Sequence, residues 1–513
     1  MFDFSVLYFI IVECLVHFHF VWKSMDKPLI TEDSEGTHLL RPTIIRRQGS
    51  NLHLYLSSCG MLLGAVCTGL MLGISSPLIP GIEDDTTASA ISIGKREASW
   101  IGSLLTLGGI VGGLMAGVMI QSLGRKPTAI LTGLPYIGGL LLMSYATNVW
   151  MLYAGRFITG IAMSITTLVV PTYISEISTQ SLRGLLCSGN QLGITVGVFI
   201  AYGFGGIFTW RWLSLAVAFF PLAFTICCLF LPETPRFLLL KNKPEEGAKT
   251  LQKLRGKTAD VSEELYDLQE TIEFSSESEA SWKEIVITPS LRIPLLLSLA
   301  IMFFQQFSGI NSITFYSKNI FQDAGFNSQS QLLMALLLTA GIQIVFTVIA
   351  CALVDRLGRK VLLSVSGIFM AISIAAFGAY FVVMDDGRKG EFSWLALSSL
   401  IVYIATFSLG LGPVPWIIMA ELLPLRARGK CGGLVTAFNL LCAFIVTSEF
   451  YDLQNAITTQ GTFWLFSGVC LLSVFFTVCL LPETKGRSLE DIERHFGRRD
   501  SHYPNYSSLD ETA

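Results

Sequence analysis

The sequence predicts an all-α membrane protein with twelve transmembrane helices in two six-helix bundles and a small cytosolic helical subdomain between them. Three observations carry this. Of 513 residues, 52% are hydrophobic and 14% are charged, with a mean hydropathy of +0.58, whereas soluble domains carry about 25% charged residues. From Leu52 onward, apolar runs recur at about 20 residues each, the length a helix needs to cross hydrocarbon. Three charged motifs also occur twice, in the same order, in the two halves of the chain.

Taken in order, spans are expected near 54–76, 99–120, 127–147, 150–171, 186–208, 212–231, 292–315, 331–354, 361–383, 394–419, 430–450 and 461–481. They divide into bundles at 52–231 and 291–481. The tail before them, 1–51, begins with an apolar stretch at 2–22 that carries Asp3, Glu13, His17 and His19, and Met25 opens a polar run. An extra span and an uncleaved anchor compete with the favoured reading, that residues 1–24 lie upstream of the true start. Between the bundles, 232–290 shows short apolar stripes at helical spacing, Ala248, Leu251 and Leu254, then Val261, Leu265, Leu268 and Ile272. A second tail runs over 482–513. Lys and Arg concentrate on one side of the spans, at Arg125 and Lys126, Arg183, 236–292, Arg356 to Lys360, Arg426 to Lys430, and beyond Lys485. The positive-inside rule therefore places both termini in the cytosol.

Composition also excludes. A net charge of -3 and pI near 6.1 argue against nucleic acid as a partner. The eleven Cys lie mostly in apolar runs without C-x-x-C pairs, as small hydrophobes do. The six His sit at the ends of the chain, so the membrane core is expected to hold no His-based metal site or proton relay. No cofactor is implied. No phosphate loop, metal-ligand spacing or nucleophile with its base is present, so the expectation is not an enzyme.

Polar residues away from span ends are few. The densest group is Gln305 to Asn311, Q-Q-F-S-G-I-N, inside the apolar run 291–321. Unpaired amides are costly in such surroundings and mark functional positions. On a continuous helix Gln306 and Asn311 fall on opposite sides of the Gln305 stripe, and Gly309 is the residue that lets the helix deform to unite them. Gln191 lies with Ser188 and Thr195 on one face of the fifth span, Gln343 with Thr339 and Thr347 on one face of the eighth, and Asn439 follows Thr436 on the eleventh. Trp416 follows the run Gly412-Pro413-Val414-Pro415, where a bend is expected. Gln and Asn donate and accept together, as hydroxyls do, so this set suits a polyol better than an ion.

The repeated motifs are Gly124-Arg125-Lys126 with Gly358-Arg359-Lys360, Pro171 to Glu176 and Arg183-Gly184 with Pro415 to Glu421 and Arg428-Gly429, and Pro232-Glu233-Thr234 with Pro482-Glu483-Thr484. With these the sequence resembles the sugar porters of the major facilitator superfamily, the group of the facilitative glucose transporters. It is most similar to the insect facilitated trehalose transporters, over about residues 52–490. The resemblance implies the major facilitator fold and a cytosolic gate of ion pairs among Arg125, Glu176, Arg183, Glu233, Asp355, Arg359, Glu421 and Arg428. It also implies that Gln191, Gln305, Gln306, Asn311, Gln343, Trp416 and Asn439 line the sugar site. Three departures stand out: Gln121 begins the first gate loop, Leu440 stands where relatives often carry Trp, and Ser408 replaces a carboxylate of the glucose carriers. Proton-driven relatives place an Asp in the first span opposite an Arg in the fourth. Here Arg156 is present and 52–80 holds no acidic residue. The expectation is facilitated, downhill transport of trehalose or a hexose such as glucose by alternating access, as a monomer in the plasma membrane with sugar and lipid bilayer as its partners. The alternatives are a proton-coupled sugar symporter and a non-transporting sugar sensor.

Overall fold

A computed structural model describes residues 52–86, 91–256, 259–276, 280–326, 328–385, 393–424, 426–485 and Phe496. The expectations for 1–51 and for the tail beyond Lys485 fall outside the described residues. The N-terminal half comprises α1 (Leu52–Gly73), α2 (Ser75–Glu83), α3 (Lys95–Ser122), α4 (Arg125–Ser144), α5 (Val149–Ile177), α6 (Gln180–Gly205) and α7 (Trp210–Phe230). Short helices follow, α8 (Pro235–Leu240), α9 (Pro244–Arg255), α10 (Ser262–Ser276) and α11 (Trp282–Ile287). The C-terminal half comprises α12 (Pro289–Phe307), α13 (Ile310–Phe315), α14 (Ser317–Asp323), α15 (Gln329–Leu357), α16 (Arg359–Asp385), α17 (Ser393–Leu409), α18 (Val414–Leu422), α19 (Arg428–Ser448) and α20 (Phe450–Leu480).

Local chemistry sets several boundaries. Asn148 caps α5 by accepting the Met151 N–H at 3.0 Å, and Thr234 caps α8 before a proline in its first turn. The first, seventh and tenth spans are each broken, giving α1–α2, α12–α13 and α17–α18. Among the described residues, eleven helical segments are long and apolar enough to cross a membrane. The remaining expected span, the fifth, is α6, a helix of 26 residues. It packs between α1 and α15.

Neighbours repeat between the halves. In the first, α1 packs on α6, α3 on α5, and α4 on α5 and α7. In the second, α12 packs on α19, α15 on α17, and α16 on α17 and α20. The halves meet where α3 lies against α19 and α6 against α15. Large apolar side chains such as Leu134, Phe230 and Met334 remain exposed on the outside, as a lipid-facing surface requires. The short helices bridge the halves at one end. Arg255 of α9 pairs with Glu264 of α10 at 2.6 Å and donates to the carbonyl of Ile177 at 2.8 Å. At the other edge Ala280 N–H donates to the Arg426 carbonyl at 3.1 Å, and Lys430 Nζ to the Ala280 carbonyl at 3.0 Å. Of the two expected stripes, Leu251 and Leu254 of the first are buried with Ala248 half-buried, whereas in the second Val261 is buried and Leu265, Leu268 and Ile272 are half-buried.

Candidate functional site

The break between α12 and α13 is centred on Gly309, whose φ is +93°. A side chain would be strained there and would also collide, because an added Cβ would lie 2.4 Å from the Phe466 ring. The break turns α13 so that residues on opposite sides of one helix converge. Asn311 Nδ2 donates to Gln306 Oε1 at 2.6 Å. Gln306 Nε2 donates to Asn439 Oδ1 at 3.1 Å and to Gln305 Oε1 at 3.3 Å. Asn439 Nδ2 donates to Gln305 Oε1 at 2.9 Å. Four of the seven expected site residues thus form one cluster of amides in which no carboxylate or cation takes part.

The other three lie apart from these bonds. Tyr202 of α6 reaches the C-terminal half, donating to the Thr314 carbonyl at 2.9 Å. Gln191 lies eleven residues earlier on the same helix, within about 20° of the same stripe and about 16 Å further along. Gln191 is half-buried. Gln343 is half-buried on α15, which packs on α6 around Gly341 and Phe199. Trp416, half-buried, opens α18 just after the break and packs on the core.

Arg156, on α5, is fully buried. Its guanidinium donates to the carbonyls of Ile101 at 2.9 Å and Met71 at 3.3 Å, and to the Ser75 hydroxyl. The Met71 carbonyl and Ser75 hydroxyl beside the α1–α2 break, with the Ile101 carbonyl of α3, thus satisfy a charge that lacks a carboxylate partner among the described residues.

At one end of the bundle two equivalent corners form. Arg125 pairs with Glu176 at 2.6 Å, and Arg359 with Glu421 at 2.8 Å. The second carboxylate oxygen of each glutamate accepts a threonine hydroxyl, Thr234 at 2.7 Å and Thr484 at 2.6 Å. Glu233, expected in an ion pair, instead turns to the backbone at the start of α4, accepting the N–H of Arg125 at 3.2 Å and of Lys126 at 3.1 Å. Glu483 does the same for Arg359 and Lys360, both at 3.1 Å. An anionic group at a helix N-terminus is favoured by the unsatisfied N–H groups there. Arg428 donates to the Leu423 carbonyl at 3.2 Å, and the side chains of Arg183 and Asp355 fall outside the described residues. Thr234, Thr484 and Glu483 are absent from the expected gate, although the repeat of Pro-Glu-Thr was the signal that could have found them. The two capping carboxyls differ in their acidity. Burial raises Glu233 above the ordinary glutamate range, and its N–H partners offset only part of this. In Glu483 burial also raises, but four backbone N–H groups, those of Lys485, Lys360, Arg359 and Thr484, outweigh it and hold the carboxyl below that range.

At the other end the halves are joined. Ser99 Oγ donates to the Ser448 carbonyl at 2.6 Å, Lys318 N–H to Ser76 Oγ at 3.1 Å, and Tyr202 meets Thr314 and Ser317. Tyr316 is buried there and stacks on Phe450, with ring centroids 5.2 Å apart.

A two-fold repeated helical bundle, broken at three spans around uncharged amides and bearing paired charged corners at one end, is the architecture of a membrane carrier. The chain belongs to the sugar (and other) transporter family, whose model matches residues 61–496. It is 36% identical to mouse "Solute carrier family 2, facilitated glucose transporter member 8" over 488 residues, 91% of this chain and 99% of that protein. It is 39% identical to "Facilitated trehalose transporter Tret1" of Apis mellifera ligustica over 434 residues, 83% of this chain and 86% of that protein. Among solved structures, it is similar to the proton:xylose symporter XylE bound to 6-bromo-6-deoxy-D-glucose, with a TM-score of 0.73 at 21% identity, covering 87% of this chain and 100% of that one. That likeness establishes the major facilitator fold.

Proposed function

We propose that this transporter carries trehalose, or a hexose such as glucose, down its gradient by alternating access. The observation that carries the reading is the amide cluster of Gln305, Gln306, Asn311 and Asn439 at the α12–α13 break. Its bonds are amide to amide, so hydroxyls can exchange for them with donors and acceptors conserved in number. Gln191, Gln343 and Trp416 complete the site from the facing helices, and the corners of Arg125, Glu176, Arg183, Glu233, Asp355, Arg359, Glu421 and Arg428 act as its gate. Relatives named as facilitated glucose and trehalose transporters support the substrate class. Bonding of Arg156 to carbonyls and a hydroxyl supports transport without a proton, since a titratable partner is what proton coupling would use. The Lys and Arg bias supports corners and termini in the cytosol, and the one-chain site supports a working monomer in the plasma membrane.

Uptake of labelled trehalose and of glucose into proteoliposomes tests this, with unlabelled competitors. Uptake is expected to follow the sugar gradient and to be unchanged by an uncoupler. Collapse with the uncoupler at constant sugar gradient would mean a symporter, and binding without flux would mean a sensor.

A further inference from the structure

The chain between α17 and α18 reads Gly410-Leu411-Gly412-Pro413-Val414-Pro415. Pro415 has no N–H, so the Leu411 carbonyl, four residues back, loses its helical donor. The Leu411 N–H has left the helix as well, donating to Ser366 Oγ of α16 at 3.2 Å. A buried carbonyl without a donor is costly. Here Gln305 Nε2, from α12, donates to Leu411 O at 2.8 Å and Gly412 O at 2.9 Å. A side chain on one helix thus supplies the bond that proline removed from another. The other end of the same amide belongs to the cluster, because Gln305 Oε1 accepts from Asn439 and Gln306. Beyond the break, α18 is a single short helix of nine residues. It carries Trp416 near its start and Glu421, the partner of Arg359, near its end.

We propose that Gln305 is a positioning residue that couples occupancy of the amide cluster to the bend between α17 and α18, and through α18 to the Glu421 corner. A hydroxyl ligand that takes up the bonds of Gln306 and Asn439 withdraws the donors that fix Gln305 Oε1. The amide plane is then free to turn, the Leu411 and Gly412 carbonyls lose their donor, and α18 moves as one piece with Glu421. This rests on the sugar-carrier reading for its transport arm alone.

The test uses the purified full chain, with hydrogen exchange across residues 414–422 measured without sugar and transport measured in proteoliposomes. Gln305→Leu is expected to speed exchange across α18 about tenfold and to lower the maximal uptake rate about tenfold. Gln306→Leu removes one of the two donors to Gln305 Oε1 and leaves Gln305 Nε2 in place, so it is expected to raise KM and to speed that exchange by less than Gln305→Leu does. Pro415→Ala returns an N–H to the Leu411 carbonyl, so the Gln305→Leu/Pro415→Ala double variant is expected to exchange like the native chain. Native exchange or a native maximal rate in Gln305→Leu overturns the proposal, as does additive behaviour of the double variant. If Gln305→Leu alone yields no folded protein, recovery of folded protein by Pro415→Ala supports the proposal and failure to recover overturns it. Should the native chain move neither trehalose nor glucose, the proposed function falls while the exchange comparison still decides the hinge.

Discussion

Gln306 uses both atoms of its amide, donating to Asn439 and Gln305 and accepting from Asn311. Gln306→Ala removes a donor and an acceptor from a site matched to hydroxyls, and each lost bond to a polar ligand is worth about 1 kcal/mol. The variant is expected to raise KM for sugar about tenfold or more with the amount of protein in the membrane unchanged, which uptake curves alongside surface labelling would show. Gly309→Ala acts on the backbone instead. A left-handed residue with a Cβ costs roughly 1 to 2 kcal/mol, and the added atom meets Phe466 at 2.4 Å. Loss of transport with a lowered thermal midpoint is the expected outcome, and a native midpoint would count against it. Gly309 illustrates what was legible from sequence, since a glycine amid clustered amides in an apolar run signals a break. The role of Gln305 was not legible, because its partners are carbonyls of residues whose side chains carry no sign of it.

At the scale of elements, the two corners share their bonds and differ in their response to acid. The lowered pKa of Glu483 means that its stabilisation is present above the ordinary glutamate value and is lost as pH falls through the lowered one. The raised pKa of Glu233 has the opposite sign, with a contribution present below the ordinary value and lost as pH rises through the raised one. Glu483→Gln is therefore expected to lower the melting temperature at neutral pH by more than Glu233→Gln does, and the gap is expected to narrow as pH falls through and below the ordinary glutamate value. Melting curves of the detergent-purified variants across pH check this. The matched motifs announced that the corners exist, but which carboxylate pairs with an arginine and which caps a helix depends on how α4 and α16 begin relative to the Pro-Glu-Thr turns.

For the whole molecule, direct bonds between the halves among the described residues include, at the end away from the corners, Ser99–Ser448, Ser76–Lys318 and Tyr202–Thr314. Alternating access requires these to part. Tyr202→Phe deletes one hydroxyl that bonds across the halves, a loss of about 0.5 to 1.5 kcal/mol. It is expected to shift the balance toward opening at that end by about three- to tenfold. Accessibility of single cysteines placed beside Tyr316 to an impermeant reagent would report it, and unchanged labelling would refute it.

The spans, the two-fold repeat and the positions of the amides were determined by the sequence itself, because hydrophobic run length and motif spacing are properties of neighbouring residues. Tertiary structure decided which amides touch, that Glu233 serves the backbone, and that Gln305 reaches carbonyls 106 and 107 residues away. Those outcomes depend on where breaks at Gly309 and Pro415 bring separate helices together, and a hydrogen bond to a distant main-chain atom leaves no mark in the residue that accepts it.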